Sequence, residues 1–296
     1  MELLWLWILG WFVSILTVIG NGFVILLVYS KRHLRTKTNA LIVSLAVADF
    51  LVGLHVIPLM FSLEVIGPNY PKVLDKGLYI ILRLRWLFQD ASILCMCSLV
   101  LDRYLAVVKP LKYLRFMTSS RVIQLISFSW GAAAAFILLQ SFLWVKSRGP
   151  LVVDTFRWLV IIIFHAFPCV LIFFCFASML RLIYKQRREA HVLGRQRPFN
   201  NRREKSALIM MSIVVALFLV YCAIYIGCVL KVITDECDVY IQRIALFTVI
   251  LNSAVNPLAY AFFKRDIKKE IKKLTCRTSV RRPKWIEDAN KIIVRV

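Results

Sequence analysis

The 296-residue chain is 60% hydrophobic, has a mean hydropathy of +0.73 and carries a formal charge of +23. That apolarity excludes a soluble domain of this length, and the chain reads as a multi-pass membrane protein. The charge does not point to nucleic acid, because it falls in alternate loops: Lys31 to Lys37, Lys109 to Arg121, Arg181 to Lys205 and Lys264 to Arg295. The intervening loops mix few bases with Asp75, Asp154, Asp235, Glu236 and Asp238. Under the positive-inside rule the amino terminus is outside and the tail cytoplasmic, with the basic surface against membrane lipid.

Seven runs reach the roughly 20 residues a helix needs to cross the hydrocarbon. They are Leu3–Tyr29, Asn39–Glu64, Leu78–Val108, Val122–Val145, Trp158–Ile183, Ala207–Leu230 and Val239–Phe263. The first lacks a positive n-region and a small-residue cleavage site, so it is read as a span and not as a signal peptide. Together the runs predict an all-α, seven-transmembrane helix bundle over residues 1–263. A short amphipathic membrane-surface helix over 264–276 and a flexible cytoplasmic tail over 277–296 follow it.

In the first span Gly20-Asn21 places an amide that must find partners inside the bundle, and the second carries Asp49 near mid-membrane and Pro58 toward its outer end. The third span holds Arg83, Arg85, Asp90, Asp102 and Arg103, more charge than a lipid-facing helix tolerates, so it must be surrounded by protein. About 18 residues make five helical turns, which puts Arg85, Ser92, Met96, Leu99 and Arg103 on one stripe and Arg83 and Asp90 on the other side. In the fourth span, Trp130 and the small residues Gly131 to Ala135 allow close helix approach.

The fifth span carries His165 and Pro168, and the proline implies a local bulge. Asp90 is expected to pair with His165, the alternative being Arg83 on nearly the same face. Beyond the fifth span, helical extensions with a turn at Gly194 to Asn201 lead to Glu204 and the sixth span, which has no proline. In the seventh, Asn252, Asn256 and Tyr260 share a face, while Pro257 loosens the carbonyl of Ser253. Past it, Phe263, Ile267, Ile271 and Leu274 recur at helical spacing among lysines, the pattern of a helix lying on anionic lipid, and Cys276 is a candidate for palmitoylation.

The order Gly20-Asn21, Leu45-Ala46-Val47-Ala48-Asp49, Asp102-Arg103-Tyr104, Trp130, Pro168 and Asn256-Pro257-Leu258-Ala259-Tyr260 resembles the rhodopsin-like (class A) G-protein-coupled receptors over essentially the whole chain. The resemblance implies a plasma-membrane receptor whose inner face opens to a heterotrimeric G protein in response to an extracellular ligand. It implies that Arg103 is held by Asp102 and Glu204, with Tyr104, Asn256, Pro257 and Tyr260 completing the coupling and switch residues. It also maps the family's allosteric sodium (Na+) pocket onto Asp49, Ser92, Asn252, Ser253 and Asn256.

Departures from the family pattern fall in the switch and ligand regions. Cys222 and Ile224 replace the usual Trp and Pro of the sixth span, so the aromatic switch and kink are missing; Leu78 stands for a cysteine, and Phe176 for a tyrosine. The ligand pocket is placed at Arg85, Gln89, His165 and Tyr225. Amine receptors of the family carry an aspartate where this chain has Arg85, and opsins a lysine where it has Ile250, which disfavours both ligand classes. Arg85 either pairs with a carboxylate or phosphate of a small ligand or is neutralised by Glu64 or Asp75.

The competing readings are a receptor-like protein that signals without ligand or serves as a partner subunit, and an ion or proton transporter using Asp49, Asp90 and His165. No internal repeat supports the transporter. A membrane enzyme is not expected, since the sequence shows no nucleophile-base pair or metal-ligand spacing.

Overall fold

The structure, a computed structural model, describes residues 4–66, 76–146, 155–156, 158–192, 212–227 and 239–280. Helices occupy every run expected to span: Leu4–Ser30, Lys37–Ile66, Lys76–Val108, Ser119–Lys146, Ile161–Ala166 continuing into Phe167–Val192, Ser212–Gly227 and Val239–Phe263. They are called the first to seventh spans below. Among the described residues five of these helices are long and apolar enough to cross a membrane, and Leu246–Ala261 makes a sixth with its bent continuation. Ser212–Gly227 is a shorter apolar helix. The second span continues through Pro58, and the turn expected at Gly194 to Asn201 lies outside the described residues.

Two connections are themselves helical. Arg32–Leu34 forms a single 3-10 turn after the first span, and Pro110–Phe116 a short helix after the third, opened by a proline at its first position, where a missing N–H costs nothing. After the seventh span the chain turns by 81° into Arg265–Val280. There Ile267 is fully buried and Ile271 half-buried, while Lys268, Lys269, Lys272 and Lys273 are exposed, so the amphipathic pattern seats one face on the bundle. Glu270, also buried, accepts from Lys273 Nζ at 2.6 Å and lies 3.4 Å from His33 Nε2, tying this helix to the first connection.

The third span is the axis of the bundle, in contact with the second, fourth and fifth, while the first packs on the second and seventh. Small residues set the closest approaches. A Cβ at Gly20 would come to 3.0 Å from Pro257 Cγ, and one at Gly53 to 3.0 Å from Thr17 Cγ2, closer than side chains normally approach, so the neighbour would have to give way by a few tenths of an ångström. Ala133, from the expected small-residue stretch of the fourth span, packs with Ala48 and Ala91. Trp130 Nε1 donates to Ser44 Oγ at 3.1 Å. On the outer surface Ile8, Phe12, Ile15 and Ile19 of the first span and Phe167, Val170, Phe173 and Phe174 of the fifth are exposed, as lipid-facing residues should be.

Pro168 and Pro257 do what their chemistry requires. Pro168 has no N–H to return to the preceding turn, and the chain answers with a π turn at Ile161–Ala166, in which Phe167 N–H reaches back to Ile162 O. Pro257 likewise leaves the Ser253 carbonyl without its helical donor. Asn21 Nδ2 supplies one from the first span at 3.2 Å and donates to Thr17 O at 2.9 Å as well. That is the partner the buried amide of Asn21 needed.

Candidate functional site

Polar side chains in an apolar bundle collect where they can satisfy one another, and three such clusters lie in succession along the third span. The first centres on Asp49, fully buried. Ser92 Oγ donates to its Oδ1 at 2.6 Å and Asn256 Nδ2 to its Oδ2 at 2.7 Å, with a further hydrogen bond from the Ser253 side chain. Asn252 lines a cavity of about 10 Å³ beside them together with Ser92, Ser253, Gln89 and Tyr221, room for about one water molecule or a bare ion. The five residues expected to form a cation pocket are thus together. All their donor atoms suitable for a metal are oxygens, only one of them is an acid, and the bonds that satisfy Asp49 come from neutral groups. Such a set suits a small, hard, monovalent cation; among the described residues no group of three His, Cys, Asp or Glu offers a site of another kind. Tyr260 is buried nearby, and its hydroxyl has no hydrogen-bond partner among the described residues.

Farther from the basic end, Gln89, His165 and Tyr225, three of the four residues assigned to a ligand pocket, converge on Tyr221, which was not assigned. Gln89 Nε2 donates to Tyr221 Oη, and His165 Nε2 lies 2.9 Å from the same oxygen. Tyr225 stacks on the His165 ring at 3.9 Å and 7°, and Trp86 meets Tyr225 edge-on at 6.0 Å. The expected pair of Asp90 and His165 is not formed. The two ring nitrogens of His165 face Tyr221 and the Val160 carbonyl, the latter at 3.4 Å. His165 lies inside the π turn, and its ring is fully engaged by these two groups. Asp90 is 1% exposed, its Oδ1 has no partner among the described residues, and of their cations it is Arg85 whose field reaches it. The Arg85 guanidinium also sits over the Trp86 ring, 4.2 Å from its centroid.

At the basic end Asp102 is completely buried and accepts three bonds: from Arg103 Nη2 at 2.8 Å, Thr38 Oγ1 at 3.1 Å and Tyr113 Oη at 3.1 Å. Arg103 Nη2 also donates to Thr38 Oγ1 at 2.6 Å, so the second span, the third and the short helix after it are locked together. Tyr104 is half-buried against Phe174 of the fifth span, ring centroids 6.4 Å apart. Glu204, the expected second partner of Arg103, lies outside the described residues. The same holds for the Cys276 side chain and for Glu64 and Asp75 as partners of Arg85.

Lys264, read from the sequence as one of the surface lysines, instead stands at the corner after the seventh span and donates from Nζ to Asn39 Oδ1. Asn39 in turn donates to Leu34 O at 2.6 Å. Burial first, and the nearby Arg103 charge second, push the Lys264 amine from its usual 10.5 down to about 7. Between those values the unfolded chain keeps a proton that the folded corner gives up. The cost of burying the ammonium is therefore complete below about pH 7 and is relieved as pH rises toward 10.5. Lys264→Met is expected to remove this dependence. The thermal midpoint of the purified wild-type protein should gain on that of the variant between about pH 6.5 and 9, and parallel curves would show that the corner holds an ordinary lysine.

Residues 20–260 match the family model described as 7 transmembrane receptor (rhodopsin family). The chain is 29% identical over 294 residues to trace amine-associated receptor 9 of Mus musculus, covering 88% of this chain and 81% of that receptor. It is 26% identical over 310 residues to octopamine receptor beta-2R of Chilo suppressalis, covering 88% and 76%. A shorter match, 42% identical over 125 residues, takes in 40% of this chain and only 25% of the probable G-protein coupled receptor No9 of Amphibalanus amphitrite. These relatives are receptors and not enzymes. Because the family match begins at Gly20 in the first span and ends at Tyr260 in the seventh, it takes in the whole polar axis just described, and the chain belongs to the rhodopsin-like family of seven-transmembrane receptors.

Proposed function

We propose that the protein is a plasma-membrane receptor, amino terminus outside and tail in the cytoplasm, that passes an extracellular signal to a heterotrimeric G protein. The observation that carries this reading is the Asp102–Arg103–Thr38 lock at the basic end, where the positive-inside rule puts the cytoplasm. A latch of this kind holds two spans and a loop with charge-assisted hydrogen bonds that a bound partner can replace one for one.

For the ligand, the Arg85 charge is felt at Asp90 and its guanidinium lies over the Trp86 ring. Asp90 Oδ1 and Gln89 Oε1 are buried acceptors without donors among the described residues. A small ligand that donates hydrogen bonds, as an amine does, suits these groups, and two of the relatives are named for amines. The second reading is an anionic ligand on Arg85, for which a guanidinium is the natural partner.

Asp49, Ser92, Asn252, Ser253 and Asn256 would hold a sodium ion, which when bound supplies a positive charge against the buried carboxylate. The surface helix would lie on anionic lipid with Cys276 acylated beside it.

The test is nucleotide exchange on added heterotrimeric G proteins by the receptor in lipid discs, without ligand and with panels of small amines and small carboxylic acids. Exchange above the G-protein blank is expected, raised further by amines. Exchange without any addition would mark a receptor active on its own, and a response to acids alone would select the Arg85 reading. No exchange on any Gα class would overturn the proposal.

A further inference from the structure

The sixth span has lost both the tryptophan and the proline that the family uses there, yet it is not left as a plain apolar rod. Tyr221 is 2% exposed and is the only link among the described residues at which side chains of the third, fifth and sixth spans meet through hydrogen bonds at one atom. The direction of that link can be worked out from its far end. The Val160 carbonyl can only accept, so His165 Nδ1 carries the ring proton. Both partners of the imidazole are neutral, which leaves Nε2 as an acceptor, and the Tyr221 hydroxyl must donate to it. The phenol oxygen is then free to accept from Gln89 Nε2. Donation therefore runs one way from the third span through the sixth to the fifth, ending on the Val160 carbonyl just before the π turn.

The imidazole cannot swing to break this chain, because Tyr225, one turn along the sixth span, is stacked on its face with the planes 7° apart. Beneath it, Tyr221 and Gln89 line the same small cavity as Ser92, Asn252 and Ser253, so the chain separates the Trp86–Tyr225 aromatic cluster from the Asp49 cluster. Moving the sixth span outward would strand an amide, a phenol and an imidazole in apolar surroundings, a cost the bundle bears only if other groups take over those bonds.

We propose that the Tyr221 hydroxyl is a positioning residue that pins the sixth span to the third and fifth in the resting receptor, so that release of the Gln89–Tyr221–His165 chain frees the span's inner end. The effect on signalling rests on the receptor reading above. The pin itself does not, and the two are separated by following the span directly.

Spectroscopic labels are placed through unnatural amino acids at exposed Leu111, after the third span, and Ile213, near the inner end of the sixth, in the full-length protein in lipid discs, and their distance distribution is recorded beside basal nucleotide exchange. Tyr221→Phe removes one oxygen and keeps the ring. It is expected to enlarge the long-distance population and raise basal exchange about threefold to tenfold, the span of one hydrogen bond's contribution. His165→Phe keeps a ring for Tyr225 but offers no acceptor, and should do the same. The double variant should go no further than either single one, while His165→Gln, which restores an acceptor, should return toward wild type. A wild-type distance distribution in Tyr221→Phe, or single effects that add in the double variant, would overturn the pin. A shifted distribution with no exchange in any form would leave the pin standing and sink the receptor reading.

Discussion

Replacing Arg103 by alanine is expected to abolish nucleotide exchange on added G protein while leaving the quantity of folded receptor at the cell surface close to wild type. The two halves of this outcome have different causes. Arg103 carries a side chain that is 29% exposed at the basic end, and it is the only cation bonded to Asp102 in the described structure, so its removal takes away the group a cytoplasmic partner would meet. Folding survives for another reason. Asp102 would lose one charge-assisted bond, worth about 1.5–3 kcal/mol, but it keeps the hydroxyl donors of Thr38 and Tyr113 and is not stranded. Surface labelling and exchange at matched expression check both halves. Normal coupling by Arg103→Ala would remove the basis for assigning this end of the bundle to a G protein.

Thr38 and Tyr113 were not visible as part of this lock in the sequence, because neither lies in a recognisable pattern and both reach Asp102 only once the second span and the Pro110–Phe116 helix are folded against the third. What the sequence does carry is whatever depends on local chain physics. Runs of apolar length bounded by lysine and arginine gave span limits close to those of the helices, as at Val239–Phe263, except at the fifth span, whose helix runs on past Ile183 to Val192 as the expected helical extension. The two prolines announced a bulge before Pro168 and an orphaned carbonyl at Ser253, and both are there.

Arguments from helix faces failed where the helix stops being regular. Asp90 and His165 were matched from the face of the third span that carries Asp90, whereas His165, inside the π turn that precedes Pro168, turns its ring nitrogens to the Val160 carbonyl and Tyr221. Tyr221 escaped notice for a related reason. Within the sequence it is one aromatic in an apolar run, and its meaning lies in Gln89 and His165 arriving from two other spans. Lys264 looked like a surface lysine because composition cannot tell a corner from a face.

Sodium is expected to raise the thermal midpoint of the purified receptor relative to the same concentration of a large organic cation, and Asp49→Asn is expected to erase the difference. Asp49 is a fully buried acid whose hydrogen bonds, from Ser92, Asn256 and Ser253, all come from uncharged donors, so the cluster holds one unbalanced negative charge if the acid is ionised. A cation that binds only the folded bundle stabilises it by mass action, about 2.7 kcal/mol at a hundredfold excess over its dissociation constant, which corresponds to a shift of several degrees in a chain of this size. Asparagine keeps the shape of the side chain and its capacity to accept from Ser92 but removes the charge that would select a cation over a water molecule. Asp49→Asn should therefore unfold at one temperature in both salts. A stabilisation by sodium that survives in Asp49→Asn would have to come from elsewhere. Equal midpoints for the wild-type protein in the two salts would remove the ion site altogether.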